Sequence, residues 1–295
     1  MRRDITARAD ELRGLRVPFV HARVVLAERP TSAKPGDEAI VLADGTMEGF
    51  VGGTCAESTV RAQALALLDS HDSLLLRITA VMDVAHPGKL VVHNPCLSGG
   101  SLEIFLEPVV PAPLVVVVGD TPIAHALAAI GERLGYVITG SAGDTIPLDA
   151  TAVVVASHGR DEESALTSAL GAEVSYVGLV ASRTRGAAVV AALDVCASRK
   201  AAVHTPAGLD IGASTPEEIA LSILAEIVAS RPRPSGRPVP AEQPSTAGTA
   251  ADPVCGMRVA MVDSSLHFDH AGVRWWFCGS GCLRAFAASP DAYAT

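Results

Sequence analysis

Short apolar runs alternate with helical segments between residues 113 and 230, and this alternation limits the possible folds more than any other feature of the chain. Leu114 to Val118 is continuously apolar, which is typical of a strand buried on both faces of a sheet. The signal recurs at Val153 to Ala156 and at Ser175 to Val180, and a helix over Pro122 to Leu134 separates the first two runs. The pattern predicts a doubly wound parallel sheet of the Rossmann type.

The chain before this region predicts a separate α+β unit. Short apolar runs followed by turn residues predict strands, and one helix is predicted from about Cys55 to Leu68 because its apolar residues recur on one face. The expected strands lie in residues 18–28, 38–46, 74–80, 89–94 and 101–108.

A proline-rich stretch that begins at Arg231 divides the rest of the chain. It holds six prolines and no large apolar residue, so it predicts an extended tether to a mobile tail. Six of the eleven aromatic residues and three of the six cysteines lie in the last 44 residues. We therefore expect domains at 1–108 and 113–230, a linker at 231–251, and a small metal-binding module at 252–295.

Composition excludes several classes of protein. The formal net charge is −9 and the sequence contains no basic patch, so we do not expect a nucleic-acid-binding protein. No apolar run approaches the roughly 18 residues of a membrane span, and the first 14 residues lack the apolar core of a signal peptide. We expect a cytoplasmic protein whose cysteines are thiols or metal ligands.

The first candidate site is the run Gly52-Gly53-Thr54-Cys55-Ala56-Glu57. Its glycines allow a ligand to approach the backbone, and the helix that follows offers free N–H groups and a positive dipole end. A cysteine there favours the thiolate, and Glu57 could act as an acid, as a base or as a polar contact. The alternative is an ordinary strand-to-helix turn in which Thr54 is the N-cap and Cys55 is a small buried residue.

A second cysteine–glycine loop contains Cys96, Gly99 and Gly100, and it is equally consistent with a hairpin connection. Asp210 lies between two glycines before the last helix, which Ser214 or Thr215 caps. It is a candidate ligand-binding residue or a turn residue that bonds its own backbone.

The loop after the first Rossmann strand departs from a dinucleotide fingerprint. Gly119 and Ala124 fit its ends, but Thr121 occupies the position of the close-approach glycine. No acidic residue ends the second strand, so the loop predicts weak NAD(P) affinity, although a phosphate could still bind at the helix N-terminus.

The tail contains Cys255, Cys278 and Cys282. A segment of about 44 residues rarely forms a stable fold without an additional stabilising element such as a bound metal ion. The three cysteine thiolates, together with His267 or His270, would make a tetrahedral site for a soft metal ion. The alternative is that the cysteines are merely buried and that the aromatic residues form the core.

Taken together, several segments of the sequence resemble the XdhC/CoxI family of accessory proteins for molybdenum hydroxylases. The matching segments are ADGTMEGFVGGTCAESTV, CLSGGSLEIFLEP, VVVASHGRDEESAL, YVGLVASRTR and HTPAGLDIGASTPEEIALSILAEIVASR. The tail resembles a YHS domain in DPVCGM, WWFCGSGCLRAF and PDAY. One departure is Thr54, where family sequences often carry a third glycine.

The resemblance implies a maturation chaperone more than a turnover enzyme. Such a protein would bind the molybdenum cofactor, as a pterin or pterin dinucleotide, support its sulfuration and insert it into a xanthine dehydrogenase or carbon monoxide dehydrogenase. The tail would bind Zn or Cu, and copper would suit a carbon monoxide dehydrogenase client. Candidate partners are the hydroxylase, a sulfur-donating desulfurase and a second copy in a homodimer. The rival functions are an NAD(P)-dependent oxidoreductase and a heavy-metal sensing or trafficking protein.

The resemblance and the loop chemistry together define the candidate cofactor-binding residues. These are Gly52, Gly53, Cys55, Glu57, Cys96, Gly99, Gly100, Gly119, Thr121 and Asp210.

Overall fold

The computed structural model describes residues 4–80, 87–94, 100–141, 145–172, 174–231 and 248–293. Contacts divide the chain into two units. The first contains the described parts of residues 1–111 and 234–295, and the second contains those of residues 112–233. The predicted cofactor-binding residues Cys96 and Gly99 lie outside the described residues.

The first unit contains a mixed six-stranded sheet with strand order β3-β2-β1-β6-β4-β5. Its pairs are antiparallel except β4 with β5. Helix α2 packs on this sheet over an apolar core that includes Val60, Leu76 and Ile104. The elements are α1 (Ile5–Gly14), β1 (Phe19–Glu28), β2 (Glu38–Leu42), β3 (Met47–Gly49), α2 (Thr54–Ser70), β4 (Leu74–Thr79), β5 (Leu90–His93) and β6 (Ser101–Val109).

The second unit contains a parallel sheet with strand order β11-β10-β9-β7-β8. Every residue of β7 is buried, and its alternate valines join two separate apolar clusters, one on each face of the sheet. The predicted α/β class and Rossmann-like unit are therefore confirmed. The elements are β7 (Leu114–Val118), α3 (Pro122–Arg133), β8 (Val137–Ser141), β9 (Ala150–Val155), α4 (Glu162–Gly171), β10 (Tyr176–Leu179), α5 (Arg183–Ala192), α6 (Ala197–Ala201), β11 (Val203–His204) and α7 (Pro216–Ser230).

We name residues 248–293 the C-terminal module. It contains two small antiparallel sheets, β12 with β13 and β14 with β15, followed by helix α8 and a short 3-10 helix. Phe286 is fully buried among the aromatic side chains. The elements are β12 (Thr249–Ala251), β13 (Arg258–Ala260), β14 (Leu266–His270), β15 (Val273–Phe277), α8 (Ser280–Ala288) and the 3-10 helix Pro290–Ala292.

The C-terminal module packs on the first unit, which differs from the mobile tail expected from the sequence. Strand β13 contacts α2, and Val262 lies so close to Gly45 that a Cβ there would be 2.7 Å from its Cγ2 atom. The reason is apolar burial, because Met257, Val259 and Cys278 are buried in one cluster with Cys55 of α2 against it. Among the described residues, no helix is both long and apolar enough to cross a membrane.

One carboxylate fixes the edge of the parallel sheet. Glu226 of α7 accepts hydrogen bonds from the Tyr176 hydroxyl at 2.6 Å and from the Gly208 N–H at 2.7 Å, and His204 Nδ1 lies 2.9 Å from it. Burial alone would raise the pKa of Glu226, but these hydrogen bonds outweigh it and lower that pKa. The lowered pKa stabilises the fold above the unfolded-state value of about 4.3, and this stabilisation is lost as the pH falls below it.

Replacing Glu226 with glutamine is therefore expected to destabilise the second unit by about 2 kcal/mol at neutral pH, because the Tyr176 hydroxyl and the Gly208 N–H lose their charged acceptor. Urea unfolding followed by far-ultraviolet circular dichroism measures the change. The difference from the parent should shrink below about pH 4. The exposed Glu132→Gln is the control, and equal unfolding midpoints for both variants would contradict the role of Glu226.

Candidate functional site

A cavity of about 300 Å³ lies in the first unit, with residues of the C-terminal module in its wall. This volume is at the lower end of the range for small-molecule pockets. We name it the Cys55 pocket. Its described lining is Pro30, Thr31, Ser32, Gly53, Thr54, Cys55, Ala56, Ile78, Asn94, Gly100, Leu102, Gly279, Ser280 and Gly281.

Helix α2 begins at the wall of this pocket. Its N-cap is Gly53, which has no side chain to accept a hydrogen bond from the first turn. Thr54 is the first helical residue, so the alternative in which Thr54 caps the helix is wrong. Gly52 has φ +145°, and a Cβ there would lie 2.9 Å from that of Ala56. Around Gly53, in contrast, there is open space, so a ligand can approach the backbone at the start of α2.

A second helix begins at the same pocket. Helix α8 has Gly279 as its N-cap, again without a side-chain acceptor, and Gly279, Ser280 and Gly281 line the cavity. Each helix N-terminus carries roughly half a positive charge in its unpaired N–H groups. Two such termini on one cavity create a site suited to an anionic group.

Asn94 adds a buried amide to the pocket wall. Its side chain is 2% exposed, and its Oδ1 atom has no hydrogen-bond partner among the described residues. Its Nδ2 donates weakly to Thr59 Oγ1 at 3.5 Å, and that hydroxyl donates to the Cys55 carbonyl at 3.1 Å. A buried acceptor without a partner is costly, so a ligand N–H directed at Oδ1 would be stabilised.

Of two other predicted residues of the first unit, one lines the Cys55 pocket and one does not. Gly100 lines the pocket, and its lack of a side chain lets the backbone approach the Pro30 carbonyl. Glu57 is absent from the described lining and lies one helical turn before Arg61. Burial raises the pKa of Glu57, and the Arg61 charge partly offsets that rise.

The three cysteines of the C-terminal module converge beside the pocket. The Sγ atoms of Cys255 and Cys278 are 3.5 Å apart, and those of Cys278 and Cys282 are 3.7 Å apart. With a carboxylate oxygen of Asp252 they lie within 4.8 Å of one another. We name these four residues the thiol cluster. All three cysteines are free thiols.

Neither candidate histidine belongs to this cluster as described. His267 Nδ1 lies 2.9 Å from the Ser265 carbonyl oxygen, and His270 Nε2 lies 3.4 Å from Asp291. Asp252 is the nearby group instead, and the sequence offered no periodic signal for it.

The thiols of the cluster differ in acidity. The hydrogen bond with Cys278 lowers the pKa of Cys255 to about 7, whereas the bond with Cys255 raises the pKa of Cys278. Burial and the Asp252 carboxylate raise the pKa of Cys282 to about 12. Cys255 is therefore the first of these thiols to ionise.

The second unit contains the remaining predicted residues. The Thr121 hydroxyl accepts from the Ala124 N–H at 3.2 Å, so it caps α3. Gly119 has φ +115°, and a Cβ there would lie 2.4 Å from the Ala156 carbonyl oxygen. Asp210 is exposed and pairs with Arg183 at 3.1 Å. A role for these three residues in cofactor binding stays a prediction.

Sequence reasoning missed two parts of the pocket. Asn94 lies at the start of the cysteine–glycine loop, but no sequence pattern marks it as a binding residue. The sequence shows a glycine-rich turn before Cys282, formed by Gly279, Ser280 and Gly281. No short-range pattern relates this turn to Cys55, which lies more than 200 residues earlier.

These observations define an α/β protein with a Rossmann-like unit and a thiol-bearing pocket at two helix N-termini. Two family models match the chain. The model for the XdhC and CoxI family matches residues 12–79, and the model for the XdhC Rossmann domain matches residues 115–227. The chain belongs to the XdhC/CoxI family. Assignment of the C-terminal module to a YHS domain stays a prediction.

The known proteins that are similar to this chain include a curated relative and a solved structure. YqeB of Escherichia coli strain K12, described as uncharacterized, is 25% identical over 254 residues, which are 76% of this chain and 46% of YqeB. The chain thus spans about half the length of this curated relative. A solved structure described as a xanthine dehydrogenase from Bacillus halodurans is 17% identical with a TM-score of 0.36, and the match covers 78% of this chain and 97% of that one.

Proposed function

We propose that this protein is an accessory factor for a molybdenum hydroxylase and that it binds the molybdenum cofactor in the Cys55 pocket. The observation that carries the proposal is the convergence of one thiol and two uncapped helix N-termini on a single cavity. Membership of the XdhC/CoxI family supports the accessory role. The client would be an enzyme of the xanthine dehydrogenase or carbon monoxide dehydrogenase type.

The chemistry of the pocket fits the cofactor. Its phosphate would accept from N–H groups at the N-termini of α2 and α8. A pterin ring carries N–H donors, which suit the unpartnered Oδ1 atom of Asn94. The Cys55 thiol is a soft donor suited to the sulfur and metal end of the cofactor. A dinucleotide form would extend beyond a cavity of about 300 Å³.

The protein's own residues would bind and orient this group rather than turn over a substrate. When bound, the cofactor supplies the metal centre at which the client enzyme works. The described pocket contributes a thiol, an amide and backbone N–H groups. These groups suit retention and protection before transfer to the client, and a sulfur-donating desulfurase would act on the cofactor held there.

We also propose that the thiol cluster binds a metal ion. Four ligands about 2.3 Å from one tetrahedral ion lie about 3.8 Å apart, and the two short sulfur–sulfur distances are close to that value. Sulfur donors favour Zn(II) or Cu(I). The ion would stabilise a module whose small apolar core is otherwise marginal.

Replacing Cys55 with alanine tests the cofactor proposal. We expect the variant, purified from cells that make the cofactor, to retain at least about tenfold less of it, equal to a loss of about 1.4 kcal/mol of binding. Molybdenum analysis and the fluorescence of the oxidised pterin measure retention. Cys196→Ala, an exposed thiol of the second unit, is the matched control. Equal cofactor content in the Cys55 variant, the control and the parent would refute the proposal.

A further inference from the structure

One short segment of the C-terminal module belongs both to the wall of the Cys55 pocket and to the thiol cluster. The N-cap and the first two residues of α8 line the pocket, and these are Gly279, Ser280 and Gly281. They are also the complete segment between Cys278 and Cys282, which both belong to the thiol cluster. We name residues 278–282 the α8 entry turn. Its middle faces the pocket, and its two ends carry the proposed metal ligands.

The two ends of the α8 entry turn are held differently. At the first end, the Cys278 N–H donates to Asp252 Oδ2 at 2.8 Å, and the Cys278 side chain is buried. At the second end, the Cys282 thiol is only partly buried and lies 3.7 Å from Cys278 Sγ. Two of the three residues between these ends are glycines, which lose more backbone freedom on ordering than any other residue. A metal ion bound by both thiols would fix the second end relative to the first and so order the turn.

The α8 entry turn also lies against the thiol of the pocket. A Cβ at Gly279 would lie 3.5 Å from Cys55 Sγ. Another part of the same wall points to a ligand, because Asn94 is 2% exposed and its Oδ1 atom has no partner among the described residues. An ordered turn therefore keeps the N-terminus of α8 directed at the same space as Cys55 and Asn94.

We propose that a metal ion in the thiol cluster and an anion in the Cys55 pocket bind cooperatively through the α8 entry turn. The metal ion would order the first turn of α8, so that its N–H groups face the anion without a further loss of backbone entropy. Linkage requires the reverse effect as well, in which the anion raises the affinity for the metal ion by the same factor. This inference rests on the proposed function, because it assigns regulation by a metal ion to the same pocket.

Binding of inorganic sulfate to the full-length protein, with and without bound zinc, tests the cooperation. Sulfate is a tetrahedral dianion that binds at helix N-termini, and its zinc salt is soluble. Isothermal titration calorimetry should give a sulfate dissociation constant at least about fivefold lower in the zinc-loaded protein, which is the lower end of typical coupling between two sites.

Replacing Cys282 with serine should remove most of the effect of zinc. The substitution removes the metal ligand at the second end of the turn and changes no residue of the described pocket lining. At a zinc concentration that saturates the parent, Cys282→Ser should bind sulfate more weakly than the parent does. Cys196→Ser, which replaces an exposed thiol of the second unit, is the matched control and should bind sulfate like the zinc-loaded parent.

Replacing Gly281 with alanine should order the turn without a metal ion. Among the described residues, no neighbouring atom lies within 4 Å of a Cβ at this position, and alanine has less backbone freedom to lose than glycine. The zinc-free variant should bind sulfate about two- to fivefold more tightly than the zinc-free parent, so that zinc has a smaller effect on it.

Equal sulfate affinities of the parent with and without zinc would overturn the proposal, and so would a lack of sulfate binding in both states. The reciprocal measurement decides the question even if Cys282→Ser does not fold, because it uses only the parent. Competition with a fluorescent zinc chelator should show a zinc affinity that rises with sulfate by the same factor, and an unchanged zinc affinity would equally contradict cooperation. No pterin is added, so these outcomes are separate from cofactor retention in Cys55→Ala, which tests the proposed function.

Discussion

Replacing Phe286 with alanine is expected to unfold the C-terminal module while the second unit stays folded. The Phe286 ring is fully buried, and five rings surround it with centroids between 5.2 and 6.2 Å away. Loss of a buried phenylalanine costs about 3–5 kcal/mol, which is comparable to the whole stability of so small a core.

Tryptophan fluorescence measures this effect selectively. The chain has two tryptophans, Trp275 and Trp276, and both lie in β15 of the module. We expect their emission to shift to that of solvent-exposed indole in Phe286→Ala, in the presence of a chelator. Val273→Ala, at a half-exposed position of the same strand, is the control and should keep the parent spectrum. A parent-like spectrum and urea midpoint for Phe286→Ala would contradict the assigned core.

Replacing Gly100 with alanine is expected to destabilise the first unit by about 2–3 kcal/mol. A Cβ there would lie 2.2 Å from the Pro30 carbonyl oxygen and 2.6 Å from that of Glu28, and backbone atoms cannot move aside as a flexible side chain does. The start of β6 would have to separate from the end of β1, which also changes the wall of the Cys55 pocket.

Thermal and urea unfolding followed by far-ultraviolet circular dichroism check this loss. Gly140→Ala is the matched control, because no atom lies within 4 Å of a Cβ at that strand position. Its stability should stay within about 0.5 kcal/mol of the parent. Equal stability of Gly100→Ala and Gly140→Ala would show that the close approach to Pro30 is not a constraint.

The features that could be predicted are those encoded by local periodicity. The valine run of β7, the helix after Gly53 and the capped helix after Thr215 have strong short-range signals, and each forms where expected. The N-cap of α2 is Gly53, whereas the alternative interpretation of the sequence places it at Thr54, because threonine is the better capping side chain and the sequence does not reveal where the helical backbone begins.

The composition of the pocket could not be predicted in the same way. Cys55 and Cys278 are 223 positions apart, and no periodic pattern connects residues across such a separation. Their contact depends on burial of Val259 and its neighbours against α2, which is a tertiary effect. The proline-rich stretch predicts a boundary in the chain, but its composition carries no information on where the following module packs.

The packing of the C-terminal module on α2 also has a consequence for synthesis on the ribosome. The strands and helix that carry Cys55 are translated before residue 112, whereas the module follows the entire second unit. Domains generally fold in the order in which they emerge. A nascent chain would therefore present an open pocket with an uncovered thiol until residues 248–293 are made. At about 5–20 residues per second this interval lasts roughly 10–40 seconds, long enough for thiol oxidants or early ligands to reach Cys55.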